Sequence, residues 1–174
     1  MMFKTCPLHD IGKVGVSDGV LFKPGKLSQE EFEEMKRHAT FGGKTLLEVE
    51  RQLVAPETFV TMAYEIAMYH HERWDGAGYP LGVMGEEIPL SARSVALADT
   101  YDALVSHRVY KPAGTFSDAR AIIMRERGKQ FEPALVDAFL ACEEEFIATA
   151  EKYTGDDEEG ERSHVLQRLI ETPS

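Results

Sequence analysis

The stretch that decides the fold spans residues 70–80 and reads His70-His71-Glu72-Arg73-Trp74-Asp75-Gly76-Ala77-Gly78-Tyr79-Pro80. The two histidines end an apolar helical pattern, because steps of three and four residues back from them reach Ala67, Ile66, Ala63, Met62 and Phe59. Both imidazoles therefore leave the inner side of one helix end, about 100° apart around its axis. Two neutral imidazoles in that place could bind two neighbouring metal ions. An isolated His-His pair can equally be a core histidine beside an exposed one, so other residues must decide.

Composition limits the kinds of partner. The 174 residues suffice for one domain with a real core, and 43% hydrophobic with 28% charged residues is ordinary for a soluble globular protein. The formal net charge of −11 argues against binding of a nucleic-acid polymer, since no basic stripe exists to hold its phosphates. A small phosphorylated substrate stays compatible with this charge, because bound divalent metals reverse the local field.

Targeting and redox signals point to the cytoplasm. The two cysteines, Cys6 and Cys142, form no CxxC motif and are most simply free thiols in a reducing compartment. The sequence contains no signal peptide and no apolar run of membrane-spanning length. We therefore expect a cytoplasmic protein without a membrane segment.

A second motif, His9-Asp10-Ile11-Gly12-Lys13, lies near the start of the chain. Its imidazole offers a nitrogen ligand to one metal, and the two oxygens of the adjacent carboxylate could bridge to a second. The bare dipeptide is common by chance and is weak evidence alone. Gly12 would let the backbone turn sharply and bring the ammonium group of Lys13 back over the site.

Two further helices carry candidate ligands. Ser28 and Glu31 form a capping box, so we expect a helix from about Gln29 that places His38 near its inner face. A buried histidine bonded to a carbonyl is the structural alternative for His38. Within this helix, Gly42-Gly43 fits either a close helix contact or a break. Another helix, from near Ser91, carries Asp99 and Asp102 on an otherwise apolar stripe, where unpaired carboxylates would be too costly.

The remaining segments complete an all-α fold. Helices are predicted from Ser117 to about Arg127 and from Pro133 to about Tyr153, with long loops between the earlier elements. Residues 1–153 form the predicted domain, and residues 154–174 read as an acidic linker with a short terminal helix. Four or five helices in such a bundle could bring the ligand candidates to one cavity; these are His9, Asp10, His38, His70, His71 and Asp99. Nitrogen and oxygen donors without thiolate suit iron, manganese, nickel or zinc and disfavour a structural zinc knot.

Three motifs together resemble the HD-GYP family, a branch of the HD-superfamily phosphohydrolases that cleaves cyclic di-GMP in bacteria. They are the His-Asp motif at residues 9–13, the block at residues 70–80, and Val95-Ala96-Leu97-Ala98-Asp99-Thr100-Tyr101-Asp102-Ala103-Leu104. The match runs from about Leu8 to Phe139 in the order and spacing of the family. An HD-domain-like helical bundle is the fold that this resemblance implies.

The resemblance also implies roles for single residues. It makes His9, Asp10, His38, His70, His71 and Asp99 the ligands of two or more divalent transition metals, with Asp10 as the bridge and iron or manganese ahead of nickel or zinc. Lys13 becomes the catalytic lysine near the scissile phosphate. Arg108 and Lys111 would hold substrate phosphate, although the family usually has proline where Val109 stands and solvated surface is the alternative. Glu72, Asp75 and Asp102 would support the site or shape its loop.

The implied reaction is metal-assisted hydrolysis of cyclic di-GMP to linear pGpG, which could be cut further to GMP. Two metals roughly 3.5–4 Å apart would activate a shared water for in-line attack on phosphorus, while the metals and Lys13 offset charge on the phosphoryl oxygens. Gly78, Tyr79 and Pro80 are similar to the segment with which family members contact diguanylate cyclase domains.

One departure from the family qualifies these expectations. Family members have further helices before the His-Asp motif, one of which carries another histidine, whereas only eight residues precede His9 here and none is histidine. We therefore expect an N-terminally truncated domain with low activity that self-associates through apolar faces left uncovered. Two alternatives stay open, namely a catalytically impaired interaction module with the same fold and a phosphohydrolase acting on another nucleotide.

Overall fold

The computed structural model describes residues 1–53, 58–105 and 115–153, and within these ranges it contains helices and no β-strand. The α-helices are α1 (Met2–Thr5), α2 (Asp18–Leu21), α3 (Gln29–Gln52), α4 (Thr58–Tyr69), α5 (Leu90–Val105), α6 (Phe116–Arg125), α7 (Pro133–Ala141) and α8 (Glu143–Tyr153). Short 3₁₀ turns occupy Cys6–Leu8, Ile11–Gly15 and Gly85–Glu87. The all-α prediction is confirmed. In the part of the chain so described, no helix combines the length and apolar character needed to cross a membrane.

The chain divides into two compact units, residues 1–96 and the residues from 97 onward. The first unit contains α1 to α4 and the start of α5, while the second begins within α5. The predicted domain boundary near residue 153 stays a prediction, because residues 154–174 lie outside the described ranges.

The long helix α3 begins where the capping box predicted. The Ser28 hydroxyl accepts the Glu31 N–H at 3.3 Å, and the Glu31 carboxylate accepts the Ser28 N–H at 2.6 Å. The helix then continues without interruption through Gly42 and Gly43, so this pair serves a close contact and is not a break. A Cβ added at Gly43 would lie 2.5 Å from the terminal methyl carbon of Met68 on α4.

Small and branched side chains bring α3 and α4 together. Ala39 on α3 and Ala63, Ile66 and Ala67 on α4 have no exposed surface. Alanine at these positions lets two helices approach closely, and burial of a side chain the size of Ile66 stabilises the fold by roughly 1.5–3 kcal/mol. This packing fixes the position of α4, after whose last residue the paired histidines follow.

The segment with the His-Asp motif lies directly on α3. A Cβ added at Gly12 would collide with the carbonyl oxygen of His38 and the amide nitrogen of Gly42. A Cβ added at Gly42 would in turn approach the Gly12 nitrogen to 3.2 Å. Gly12 does lie in a tight turn, the 3₁₀ segment Ile11–Gly15, and the Lys13 ammonium group does return to Asp10 at 2.8 Å, but the φ of Gly12 is not positive and other residues could adopt it. Its missing side chain is what the fold uses, since two backbones touch there.

In the second unit, the chain departs from the sequence prediction beside an aromatic cluster. We predicted one helix from Pro133 to about Tyr153, but α7 ends at Ala141 and α8 begins at Glu143. Cys142 leaves the helical conformation, with φ −122° and ψ 23°. Residues Phe139 and Phe146, on either side of the break, both pack against the Tyr101 ring, with centroid distances of 5.4 and 5.2 Å.

The backbone contact at Gly12 gives a first prediction. Gly12→Ala should lower the free energy of unfolding by about 1–3 kcal/mol, because the added methyl group forces the motif away from α3. Urea denaturation followed by circular dichroism measures this change. Gly19→Ala is the matched control, because Gly19 lies on helix α2 and a Cβ added there would meet nothing within 4 Å. This variant should be as stable as the natural chain or more stable by up to about 1 kcal/mol. Equal stability of the two variants would contradict the prediction.

Candidate metal centre

Five of the six predicted ligands meet in the first unit. His9 and Asp10 come from the turn before residues 11–15, His38 from α3, and His70 and His71 from the turn that follows α4. Asp99 lies half-buried on α5 in the second unit, and its role as a ligand stays a prediction. Arg108 and Lys111 fall outside the described residues.

Three histidines form the centre of this site. The candidate ligand atoms of His38, His70 and His71 all lie within 4.8 Å of one another. The Nε2 atom of His38 is 3.4 Å from Nε2 of His70 and 3.1 Å from Nε2 of His71. His38 and His70 are buried, with 2% and 3% of their surface exposed, whereas His71 is half-buried. The three nitrogens therefore converge where little water can reach them.

Local hydrogen bonds fix which nitrogen of each ring carries the proton. Nδ1 donates to the Met35 carbonyl in His38 (2.7 Å), to the Ile66 carbonyl in His70 (3.0 Å) and to the Cys6 carbonyl in His9 (2.8 Å). A carbonyl oxygen can only accept, so Nδ1 holds the hydrogen in all three rings. Burial lowers the pKa of His38 and His70, so these two rings are neutral and their Nε2 atoms hold lone pairs, whereas Nε2 of His9 faces the Asp10 carboxylate. The structural alternative for His38, a carbonyl-bonded core histidine, therefore has the same geometry that metal-binding histidines use.

The lone pairs of His38 and His70 face each other without a proton between them. A hydrogen on Nε2 of His71 could serve only His38, which leaves the lone pair of His70 unsatisfied. Added protons do not resolve this at neutral pH, because burial lowers the pKa of His38, lowers that of His70 to about 3 and places that of His71 well below 6.5. A divalent cation would satisfy all three nitrogens at once, so the residues fit a metal.

Asp10 links the histidines to Lys13. One carboxylate oxygen, Oδ1, lies 3.4 Å from Nε2 of His38, and the other, Oδ2, lies 3.1 Å from Nε2 of His9 and 2.8 Å from Nζ of Lys13. Burial alone would raise the pKa of Asp10, but the hydrogen bond and charge of His9, with the charge of Lys13, outweigh it and hold that pKa well below its ordinary value. Asp10 is therefore ionised, and its two oxygens face different histidines.

A buried carboxylate closes the loop after the histidines. Glu72 is 3% exposed, and its side chain accepts the N–H groups of Leu81 at 2.6 Å and Gly82 at 3.1 Å. Burial raises the pKa of Glu72, and these N–H donors oppose that rise. Asp75 accepts from the Arg73 guanidinium and from the Ala77 N–H at the tip of the loop. Both acids thus have the loop-shaping roles expected for them.

Sequence reasoning missed one contact of this loop. It assigned Tyr79 to a surface for a partner protein, but the Tyr79 ring stacks on the imidazole of His71, with centroids 4.7 Å apart and planes inclined by 25°. Gly78 makes this approach possible, because a Cβ there would lie 2.5 Å from Cα of Glu72. The glycine directly before the tyrosine is the signal in the sequence that could have indicated close packing against the histidines.

A family model and the named relatives of this chain agree on the same kind of protein. A family model described as HD domain matches residues 2–135. A protein named cyclic di-GMP phosphodiesterase from Vibrio cholerae serotype O1 is 55% identical over 150 residues, which are 86% of this chain and 30% of the relative. One of the same name from Thermotoga maritima is 44% identical over 162 residues, 92% of this chain and 42% of the relative. A Vibrio cholerae protein named 3'3'-cGAMP-specific phosphodiesterase 2 is 43% identical over 148 residues, 85% of this chain and 27% of the relative.

These relatives are much longer than the matched region. The chain spans at most 42% of the length of any of the three. What their names say of substrates belongs to those whole proteins.

The lowered histidine pKa values predict acid sensitivity of the metal-free chain. In the unfolded chain a histidine takes up a proton near its ordinary pKa of about 6.5, whereas folded His70 does so only near pH 3. Between these values the unfolded state binds more protons. The free energy of unfolding should therefore fall as the pH drops below about 6.5, by up to about 1.4 kcal/mol per pH unit for each such histidine.

Urea denaturation of chelator-treated protein between about pH 7 and pH 5 measures this slope. The matched variant is His70→Gln, which keeps a polar side chain but cannot take up a proton in this range. The free energy of unfolding of this variant should depend less steeply on pH than that of the natural chain. The difference in slope should correspond to about one proton, or about 1.4 kcal/mol per pH unit. Identical slopes for the two proteins would show that His70 does not stay neutral in the fold.

Proposed function

The chain belongs to the HD domain family, in its HD-GYP branch, and on that premise we propose that it is a metal-dependent phosphodiesterase that hydrolyses cyclic di-GMP to pGpG and onward to GMP. The observation that supports this most is the pair of facing lone pairs on His38 and His70, with His71 beside them. Such a donor set is arranged for a cation. The names of the relatives support a cyclic dinucleotide as the substrate.

The metal ligands in this proposal are His9, Asp10, His38, His70, His71 and Asp99. Nitrogen and carboxylate donors of this kind suit two or more divalent transition metals, and we propose iron or manganese ahead of nickel or zinc. When bound in such a site, divalent metals lower the pKa of water and neutralise charge on phosphoryl oxygens. The carbonyl partners of His9, His38 and His70 keep each Nε2 turned toward the metal position.

Lys13 is the proposed catalytic lysine. Its ammonium group lies 2.8 Å from the Asp10 carboxylate, and its side chain is 29% exposed, so Lys13 borders the ligand cluster and remains accessible to a phosphate. As charge grows on the phosphoryl oxygens in the transition state, a fixed cation there stabilises it more than the ground state. Arg108 and Lys111 are proposed to hold substrate phosphate, since a chain of net charge −11 needs local cations to bind an anion.

A second candidate function is protein interaction through the loop that contains Gly78, Tyr79 and Pro80, with a diguanylate cyclase domain as the proposed partner. One observation favours it and also refines it. Tyr79 faces inward, whereas Leu81 and Met84 are 58% and 55% exposed, so these two apolar side chains would carry such a contact.

Self-association is a further part of the proposal. It is supported by the exposure of two apolar side chains, Phe3 (93%) and Val14 (91%), and light scattering would test it.

The metal centre is tested by the double substitution His70→Ala/His71→Ala. Purified natural chain should contain a transition metal, and the double variant should lose it, because two of the three converging nitrogens are gone. Elemental analysis measures the metal, and circular dichroism checks that the helices remain. Unchanged metal content in a folded double variant would show that the ligands lie elsewhere.

The reaction itself is tested by turnover of the metal-loaded chain. Chromatography of the products should show pGpG from cyclic di-GMP, and a parallel assay with 3'3'-cGAMP would reveal a preference for the other dinucleotide. Lys13→Gln should lower kcat roughly a hundredfold or more while the metal content stays unchanged. Lys44→Gln, an exposed lysine on α3, is the matched control and should keep full activity. Full activity of Lys13→Gln would remove this lysine from the mechanism.

A further inference from the structure

We infer that Tyr79 is a positioning residue for the metal ligand His71, which it holds through ring stacking. The inference rests on the proposed function only in that both require a metal at the histidine cluster. It assigns the tyrosine of the loop to the metal centre, in addition to any surface that the loop presents outward.

The histidines of the site are held in two different ways. His9, His38 and His70 each have Nδ1 tied to a carbonyl three or four residues earlier, which limits rotation of the ring. Within the described parts of the chain, His71 has no comparable bond from Nδ1 to a carbonyl. Its imidazole is instead covered by the Tyr79 ring at 4.7 Å and 25°. Stacking of this kind restricts how far the ring can tilt, and the tilt decides where Nε2 points.

Tyr79 is itself fixed from several sides, as a positioning residue must be. Its backbone N–H donates to the His71 carbonyl at 3.1 Å, so the backbone of one residue is tied to that of the other. The Phe32 and Tyr79 rings meet in an edge-to-face arrangement, with centroids 6.3 Å apart. The ammonium group of Lys36 lies 5.2 Å from the Phe32 centroid and 5.7 Å from the Tyr79 centroid. Residues of α3 therefore hold the tyrosine against the histidine.

Helix α3 therefore acts on His71 through two separate contacts. His38 of α3 approaches Nε2 of His71 to 3.1 Å. Phe32 and Lys36 of the same helix support the Tyr79 ring that covers the imidazole. The position of Nε2 in His71 is thus set relative to α3, the helix that also carries the next ligand.

The test uses the metal-free chain titrated with Co²⁺, whose visible absorption reports both affinity and coordination geometry. Tyr79→Leu removes the ring and should weaken Co²⁺ binding by about tenfold or more, the usual cost of losing a group that orients a ligand. Its saturated spectrum should differ from that of the natural chain. Tyr79→Phe keeps the ring and should restore both the spectrum and an affinity within about twofold of the natural value.

Tyr64→Leu is the matched control for a general loosening of the fold. Tyr64 is also half-buried on α4, but among the described residues its ring contacts the Tyr69 ring, with centroids 6.2 Å apart, and no histidine ring. This variant should bind Co²⁺ like the natural chain even if its unfolding midpoint drops as far as that of Tyr79→Leu. Equal weakening in the two leucine variants, or failure of phenylalanine to restore binding, would overturn the inference.

The outcome is separable from that of the proposed function, because the titration needs no nucleotide. A chain that binds Co²⁺ as described but hydrolyses neither cyclic di-GMP nor 3'3'-cGAMP would end the proposed activity and support the positioning role. A natural chain that binds no Co²⁺ would overturn both.

Discussion

The backbone of Gly12 touches the backbone of α3 at His38 and Gly42, and the arrangement of the first unit's ligand candidates depends on that contact. His9 and Asp10 precede the contact and Lys13 follows it, so one point of attachment sets the distance of all three from His38. A Cβ on Gly12 would collide with the carbonyl oxygen of His38 and the amide nitrogen of Gly42, and would therefore push the Asp10 carboxylate away from the His38 imidazole, which lies 3.4 Å from it. Packing of α4 on α3, which also reaches Gly42 through Ala67, then supplies the remaining histidines.

Two kinds of interaction act at different ranges in this site. The orientation of three rings is decided locally, because Nδ1 of His9, His38 and His70 finds a carbonyl three or four residues earlier in the same segment. The meeting of the rings is decided by tertiary packing, which brings together segments about thirty residues apart in the chain. Burial then keeps the meeting point free of protons, since it lowers the pKa of each clustered histidine.

Features that depend only on residues close together in the chain could be predicted from the sequence. The Ser28–Glu31 capping box gave the start of α3, and the periodicity before His70 and His71 gave a helix that ends at the pair. Features that depend on contact between distant segments could not. The role of Gly12 depends on the presence of α3, and the position of Tyr79 against His71 depends on its contacts with Phe32 and Lys36. The break at Cys142 separates two phenylalanines that both contact Tyr101, a residue distant in the chain.

The hydrogen bonds that the Glu72 carboxylate accepts from the N–H groups of Leu81 and Gly82 close the intervening residues into a loop whose two ends are tied together. When the two ends of a loop are held together, the entropy cost of closing it grows only slowly with the number of residues in the loop. The tip, where Asp75 and Ala77 are exposed, is therefore a place where insertions between related sequences can accumulate. The part of the loop at Gly78 and Tyr79 cannot accommodate insertions in the same way, because its atoms contact the turn that contains His71.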